Sequence, residues 1–431
     1  MAERRRVLIW GLSIILLLAS VTTQAAANEE LEFTQVTLKN GLTLKYKIMK
    51  DEPVVSMYAL FPIGMNREKT KGIAHLMEHL VFRGGKGYDF NKIAAVTTRQ
   101  GGYFNGFTSF DATVYNYVVP KEHFEDAFEV FNGSIWQTDL SETTVELERK
   151  IVVHELDMDY AERMPYYPVF QYFFPEINYT KETIAAISVH DLREFHQDHY
   201  QPENATYIVV GDFDPETVIE RLEQIANGFG KRPVLKDDLN EFSLPVGEIV
   251  ETRNIYPYYY QLLMGYEMEG LTESERMVLK LLSYYYGSNY RIDYYNNRYK
   301  FYNVISRTLG NKEFFGIYYV ERDQEFSEAN LSEEQTRMQS FIRQFRKSDF
   351  KKLLKNFIEL IELEQESSFN TAVESGEYEL QRLINPDNIT VDDLPALREL
   401  SPKDLERVID RYFTKPPQTW ILVKNVQPEV K

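Results

Sequence analysis

Two stretches of the chain, 213 residues apart, carry the same pattern. The sequence "SVHDLREFHQDHYQPENATYIVVG" at 188–211 aligns without a gap on "SPKDLERVIDRYFTKPPQTWILVK" at 401–424. Each copy reads as a serine-capped helix, a turn that contains proline, and a strand rich in β-branched residues. Chance could supply the six identities in 24 positions, but the shared order of apolar, charged and turn residues favours an internal duplication. The length of 431 residues suits two domains of about 200 residues each.

Strand-like segments precede helical ones in both halves. The segment "FTQVTLKNGLTLKYKIM" reads as a β-hairpin that turns at Asn40-Gly41, and "VVSMYALFPIG" reads as a further strand. The run "GEIVETRNIYPYYYQLLMGYEM" opens the second half in the same way. Helical patterns follow at 124–136 and 274–286. Because strands and helices are grouped rather than strictly alternating, we expect an α+β fold, each domain packing a mostly antiparallel sheet against helices.

The polar stretch at 231–244, which contains Pro233, is the natural linker between the halves. We therefore expect an N-terminal domain at 28–232, a linker at 233–245 and a C-terminal domain of the same fold at 246–431.

Residues 1–27 resemble a secretory signal peptide. Three arginines at positions 4–6 precede the apolar run at 7–19, and three alanines stand at 25–27. The apolar run is shorter than the roughly 20 residues that span a bilayer, and no later segment reaches that length. The absence of cysteine fits an oxidising compartment. We expect a periplasmic or secreted protein without a membrane span after cleavage, and an uncleaved membrane anchor is the alternative.

The formal net charge of −18 argues against nucleic acid as a partner, because phosphate backbones repel such a surface. The same charge favours cationic ligands, or it keeps an exported protein in solution.

The stretch "GIAHLMEHLVFRGG" places two of the seven histidines four residues apart, with a glutamate between them. On a helix His75 and His79 share one face, so both imidazoles could bind one metal ion. Glu78 lies on the same side and could accept a proton from water activated by that ion. The alternative is an amphipathic helix that carries two imidazoles by chance.

A catalytic zinc ion needs a third protein ligand. The segment "VELERKIVVHELDMDY" contains Glu148 and Glu155, seven residues apart and so on one helical face, with Ile151 and Val152 between them. Carboxylates on an apolar helix face need a partner, and a cation would supply it. A solvated acidic face is the alternative at this point.

The motif "GIAHLMEHLVFRGG" resembles the inverted zinc motif H-x-x-E-H of the pitrilysin, insulinase and mitochondrial processing peptidase family. Further segments are similar to runs of that family: "GGYFNGFTSFDATVYNYVVP", "ERKIVVHEL" and "HYQPENATYIVVGDFDPE". The resemblance implies that His75, His79 and Glu155 bind one Zn²⁺ per chain and that Glu78 is the general base. It implies that Glu148 is an auxiliary carboxylate that supports the metal site.

The resemblance also implies how a peptide substrate is held. Asn105, Gly106, Phe107 and Thr108 would form an edge strand beside the zinc, to which an extended peptide adds as another strand. Gly106 stands where the family more often has alanine, a change expected to loosen this strand.

Two residues of the C-terminal half are expected to contact the substrate near the scissile bond. Arg298 and Tyr302 are the nearest matches to an arginine and a tyrosine of the family, although their spacing is shorter than the family's.

The expected function is therefore an exported zinc-dependent endopeptidase that cleaves oligopeptides or unfolded segments in an enclosed chamber. In this family short chains pair, so the expected partner is a second copy or a related subunit without zinc ligands. The alternative is a non-catalytic peptide-binding or assembly subunit in which zinc is structural.

Overall fold

The computed structural model describes residues 33–85, 87–162, 179–225, 243–253, 259–296, 300–309, 312–321, 328–345, 350–385 and 389–425. The expected signal peptide at 1–27 and most of the expected linker lie outside these ranges. The proposed domain boundaries therefore stay a prediction. No helix within the described ranges has the length and apolar character needed to cross a bilayer.

In the described part of the N-terminal half, six strands form one sheet in the order β1-β2-β8-β3-β7-β6. Neighbouring strands are antiparallel except β2 and β8, which are parallel. The bounds of these strands are β1 Thr34–Thr37, β2 Thr43–Ile48, β3 Val54–Phe61, β6 Tyr103–Thr108, β7 Thr113–Pro120 and β8 Thr206–Gly211, and a small hairpin pairs β4 Gly84–Gly85 with β5 Tyr88–Asp89.

The hairpin of β1 and β2 turns where the sequence predicts it. Gly41 adopts a φ of +93°, and the side-chain oxygen of Asn40 accepts a hydrogen bond from the Leu42 amide at 3.0 Å. A positive φ strains most residues but not glycine.

Five strands among the described residues of the C-terminal half form a second sheet in the order β11-β12-β10-β13-β9. Their bounds are β9 Gly247–Arg253, β10 Tyr259–Glu269, β11 Lys300–Leu309, β12 Lys312–Glu321 and β13 Thr419–Asn425. Only β13 and β9 are parallel within it. Read from the other edge, this sheet has the order β9-β13-β10-β12-β11, which is equivalent to β2-β8-β3-β7-β6 of the first sheet. The strand topology therefore confirms the duplication predicted from the sequence.

Helices of the N-terminal half cover one face of the first sheet and bury a common apolar core. Their bounds are α1 Ile73–Val81, α2 Phe90–Val96, α3 Phe124–Trp136, α4 Glu142–Glu162, α5 Lys181–Ala186, α6 Val189–His199 and α7 Pro215–Ile225. Short 3₁₀ segments lie at Thr98–Gln100, Lys121–His123 and Pro202–Asn204. The predicted helix at 124–136 has the bounds of α3.

Helices of the C-terminal half pack mainly around a second core on β10 and β12. Their bounds are α8 Glu273–Asn296, α9 Glu328–Phe345, α10 Phe350–Ser367, α11 Ala372–Ile384, α12 Leu394–Arg398 and α13 Pro402–Val408, with a 3₁₀ segment at Val391–Asp393 and a π-helical turn at Ile409–Phe413. The helix predicted at 274–286 forms the first part of the longer α8.

Helix α11 departs from the simple division into halves, because it packs on the outer face of the first sheet. The side chains of Tyr58 and Leu60 from β3 meet Ala372 and Leu380 there. Intervening residues of β3 such as Met57 point to the other core. Strand β3 is thus buried on both faces, which explains its nearly continuous apolar sequence.

Candidate active site

Helix α1 carries both histidines of the motif on one side. The Nε2 atoms of His75 and His79 lie 3.7 and 3.3 Å from Oε2 of Glu155. One side-chain atom from each of these three residues lies within 4.8 Å of the other two. Among the described residues this is the group of histidine and carboxylate side chains with the geometry of a metal site.

Helix α4 brings Glu155 to this point. Val145 and Val152 are buried in the first core and fix the face that α4 turns to α1. Since Glu148 and Glu155 lie two turns apart, both carboxylates reach α1. His154, their neighbour on α4, is exposed and lies outside the cluster.

Glu148 lies behind His79, on the ring nitrogen that does not face Glu155. Its Oε2 is 3.2 Å from Nδ1 of His79, and its Oε1 accepts a hydrogen bond from Nε of Arg83. Glu148 is 1% exposed, so its charge is balanced largely by this arginine. Sequence reasoning missed Arg83, although its position four residues after His79 was a usable signal.

Tyr179 makes the corresponding contact to the other histidine. Its hydroxyl oxygen lies 2.9 Å from Nδ1 of His75. The two residues are 104 positions apart, and no spacing rule in the sequence links them.

Glu78 lies on the buried side of α1 and is 8% exposed. Burial raises the pKa of its carboxyl to about 6, while the neighbouring His79 and a hydrogen bond with Thr108 act in the opposite direction. The Thr108 hydroxyl donates to Oε2 of Glu78 over 2.9 Å. Thr108 therefore contacts the predicted base, a link that sequence reasoning did not foresee.

The two histidines differ in their electrostatic environment. Burial, aided by His79, lowers the pKa of His75 to about 4, so its imidazole is neutral near pH 7. For His79, burial also lowers the pKa, but the hydrogen bond to Glu148 and the surrounding carboxylates outweigh it and raise the pKa. A neutral imidazole is the form that binds a metal ion.

The start of α1 is held by a buried carboxylate. Glu68 accepts hydrogen bonds from the backbone amides of Gly72 and Ala74 at 2.5 and 3.0 Å. These amides belong to the first turn, where a helix has no internal partners for its N–H groups. Glu68 therefore fixes the end of the helix from which His75 projects.

Strand β6 lies at the edge of the first sheet, with β7 as its neighbour among the described strands. A Cβ atom at Gly106 would lie 2.7 Å from Cε2 of Phe82, so the Phe82 ring rests directly on the strand backbone. The glycine lets the Phe82 ring approach the strand backbone closely, and the looser strand expected from the sequence stays a prediction.

The structure does not describe the side chains of the substrate-binding pair predicted from the C-terminal half. Arg298 lies outside them. The backbone of Tyr302 lies in β11, opposite Tyr319, and its side chain is outside the described part. Their roles stay a prediction.

Comparison with known proteins identifies the family to which this chain belongs. Residues 56–173 match the family model of insulinase (peptidase family M16), and residues 186–354 match the model of the peptidase M16 inactive domain. The chain belongs to the M16 peptidase family. These matches confirm the family predicted from the zinc motif. All seven histidines of this M16 chain lie before residue 200.

Relatives of this M16 chain include proteins named zinc proteases. The zinc protease PqqE of Helicobacter pylori is 29% identical over 222 residues, which are 49% of this chain and 50% of PqqE. The match thus spans about half the length of that relative.

Solved structures share the M16 fold. The crystal structure of a protease from Helicobacter pylori has a TM-score of 0.75 at 20% identity, covering 91% of this chain and 99% of that one. The periplasmic protease PqqL from Escherichia coli has a TM-score of 0.68 at 16% identity, covering 93% of this chain and 48% of PqqL. The predicted fold of two M16-type domains is confirmed.

Proposed function

We propose that this chain is a zinc-dependent endopeptidase that cleaves oligopeptides or unfolded protein segments. The convergence of His75, His79 and Glu155 beside the buried Glu78 carries the proposal. Membership of a peptidase family and similarity to a protein named a zinc protease support it.

The donor set fits zinc. Two imidazole nitrogens and one carboxylate oxygen are ligands of catalytic zinc sites, which keep a further position open. A structural zinc site would normally have four protein ligands, and the described residues offer three in this cluster. We propose one Zn²⁺ per chain, which when bound would polarise the scissile carbonyl and make water a better nucleophile.

Glu78 is the proposed general base. Its carboxylate accepts a proton from the attacking water as the bond to the carbonyl carbon forms, and the same proton passes to the amine nitrogen as the C–N bond breaks. Burial raises the pKa of this carboxyl above its ordinary value, which strengthens the carboxylate as a proton acceptor. Thr108 holds Oε2 of this carboxylate and so limits its rotation.

The proposed substrate site is the sheet edge at β6, where the described strands place no second neighbour. Extended peptides add to such an edge through backbone hydrogen bonds, which tolerate many side chains. Asn105, Gly106, Phe107 and Thr108 are the proposed contacts. Arg298 and Tyr302 are proposed to contact the substrate from the C-terminal half.

The enclosed chamber is proposed to require a second chain, either another copy or a related subunit without zinc ligands. The proposed location is the periplasm or the extracellular space. The signal-like sequence at 1–27 supports export, and the PqqL relative in Escherichia coli is described as periplasmic.

The test is hydrolysis of a quenched fluorescent peptide library by the purified chain 28–431. Activity is measured alone and after chelation, and the metal content is determined on the same sample. We expect cleavage that stops with the chelator and returns with zinc. Full zinc occupancy without cleavage, also after mixing with candidate partner subunits, would favour the peptide-binding subunit instead.

A further inference from the structure

Tyr179 is placed against the metal-ligand cluster from a segment far along the chain. Its hydroxyl oxygen is 2.9 Å from Nδ1 of His75, and the two ring centroids are 5.7 Å apart at an interplanar angle of 56°. The ring is 9% exposed and belongs to the first apolar core. The His75 side chain is 18% exposed, so the contact is partly buried, and water competes less for this hydrogen bond than it would at the surface.

The position of the Tyr179 ring is set by packing. A Cβ atom at Gly72 would lie 3.0 Å from Cδ2 of Tyr179 and 2.4 Å from Cδ1 of Ile184. Both side chains therefore lie against the bare backbone of Gly72, which has a φ of +84° at the start of α1. Thr180 directly follows Tyr179 and caps α5, so the chain is fixed on this side too.

The two histidines are held in the same way by different groups. In each ring, Nε2 faces Glu155 while Nδ1 faces a protein oxygen. A neutral imidazole that binds a metal through Nε2 carries its proton on Nδ1, so it needs an acceptor there. For His79 the acceptor is the carboxylate of Glu148, and for His75 it is the hydroxyl oxygen of Tyr179.

The hydroxyl group of Tyr179 beside Nδ1 of His75 is uncharged, whereas a second carboxylate there would be negative. Glu78, Glu148 and Glu155 already bring acidic groups to this cluster. An uncharged acceptor fixes the imidazole without adding another negative charge to the site.

We propose that Tyr179 is a positioning residue that holds His75 in the Nδ1-protonated form and in the ring orientation required for metal binding. This inference rests on the proposed zinc site and assigns no direct contact of Tyr179 with the substrate. Groups that orient a histidine ligand typically contribute 10- to 100-fold to metal affinity.

The test compares zinc affinity of the chain 28–431 with its Tyr179→Phe variant, by competition with a chromogenic chelator. The variant retains the ring that packs on Gly72 and loses only the hydroxyl group. We expect zinc binding to weaken by about 10-fold or more. The absorption bands of the Co²⁺-loaded protein should also shift, because they report ligand geometry.

Two controls separate orientation from packing. Tyr88→Phe removes a surface hydroxyl that bonds Glu129 at 2.7 Å, and it should leave zinc affinity unchanged. Tyr179→Leu removes the ring as well and should lower the melting temperature of the metal-free protein, whereas Tyr179→Phe should change it by no more than about 3 °C.

A Tyr179→Phe variant with wild-type zinc affinity and an unchanged Co²⁺ spectrum would overturn the inference while leaving the peptidase proposal intact. A wild-type chain that binds zinc but cleaves no peptide would count against the peptidase, and the affinity ratio would still decide the role of Tyr179. A wild-type chain that binds no zinc would overturn both. If the Phe variant does not fold, the His75 tautomer in the zinc-loaded wild type, read by ¹⁵N NMR, decides instead, and a proton absent from Nδ1 refutes the inference.

Discussion

Arg83 and Glu148 form an ion pair directly behind the imidazole of His79. The carboxylate is almost fully buried, while the arginine side chain is 29% exposed and its guanidinium lies 5.5 Å from the Phe90 ring centroid. One oxygen of Glu148 faces the arginine and the other faces the histidine. Glu148 thus connects the proposed metal ligand His79 to the partly exposed positive charge of Arg83.

Replacing Arg83 by methionine should destabilise the protein, because the buried Glu148 charge then loses its partner. We expect a loss of about 2 kcal/mol in the free energy of unfolding, below the range for fully buried pairs because Arg83 is partly exposed. Denaturant unfolding of the metal-free protein measures it. In the Glu148→Gln background the same substitution should cost much less, and equal losses in both backgrounds would contradict the pairing.

The Glu78→Gln variant should retain zinc and lose turnover, because the amide cannot accept the proton of water. We expect kcat to fall by about 10³-fold with unchanged metal content. The matched variant Glu155→Gln should lose both activity and tightly bound zinc. Hydrolysis that persists in Glu78→Gln would rule out this base.

Gly106→Ala should strain the contact between β6 and α1. The new methyl group would lie 2.7 Å from the Phe82 ring, which is itself packed against Phe104 and Tyr115 at centroid distances of 5.3 and 5.8 Å. We expect a loss of about 1 to 3 kcal/mol in stability and a lower kcat/KM. Phe82→Leu in the same chain should restore part of both, and an undisturbed melting temperature in Gly106→Ala alone would refute the close packing.

The stability contributed by Glu68 should depend on pH. Burial raises the pKa of this carboxyl from 4.5 to about 7, with the amides of Gly72 and Ala74 acting against the rise. Since the folded state binds the proton more tightly than the unfolded state, this contribution is complete below pH 4.5 and is lost as the pH rises to about 7. The loss is on the order of 3 kcal/mol.

Glu68→Gln mimics the protonated form and should remove this slope. The free energy of unfolding is measured for the metal-free wild type and variant between pH 4.5 and 7.5. Subtracting one curve from the other cancels the contributions of the other titrating groups. Parallel curves for the two proteins would show that Glu68 does not titrate in this range.

Gly376→Ala should weaken the contact of α11 with the first sheet. The added methyl group would lie 2.5 Å from Cε2 of Tyr58 and 2.7 Å from Oγ of Ser56. We expect a net loss of about 2 kcal/mol even though alanine favours helices by about 1 kcal/mol over glycine. Glu377→Ala, at an exposed position of the same helix, is the control and should change stability by less than about 0.5 kcal/mol. A Gly376→Ala variant as stable as wild type would contradict the close packing of α11 on β3.

Much of the fold could be predicted because local patterns encode it. The repeated pattern at 188–211 and 401–424 predicted two copies of one topology, and Asn40-Gly41 predicted the first hairpin. The packing of α11 on the first sheet could not be predicted, since an amphipathic helix does not specify which apolar face it will cover. That choice depends on complementary surfaces such as Gly376 against Tyr58.

For the candidate site, the residue order was enough to predict that His75, Glu78 and His79 share one side of a helix, because the helical repeat fixes this spacing. It also supplied Glu148 and Glu155 on one face of a second helix, and the family resemblance distinguished their expected roles. The contacts around these residues are visible only in the folded chain: Tyr179 on His75, Arg83 on Glu148, and Thr108 on Glu78. These contacts join segments that are distant in the chain, and their geometry arises from the packing of helices and sheet rather than from any local repeat.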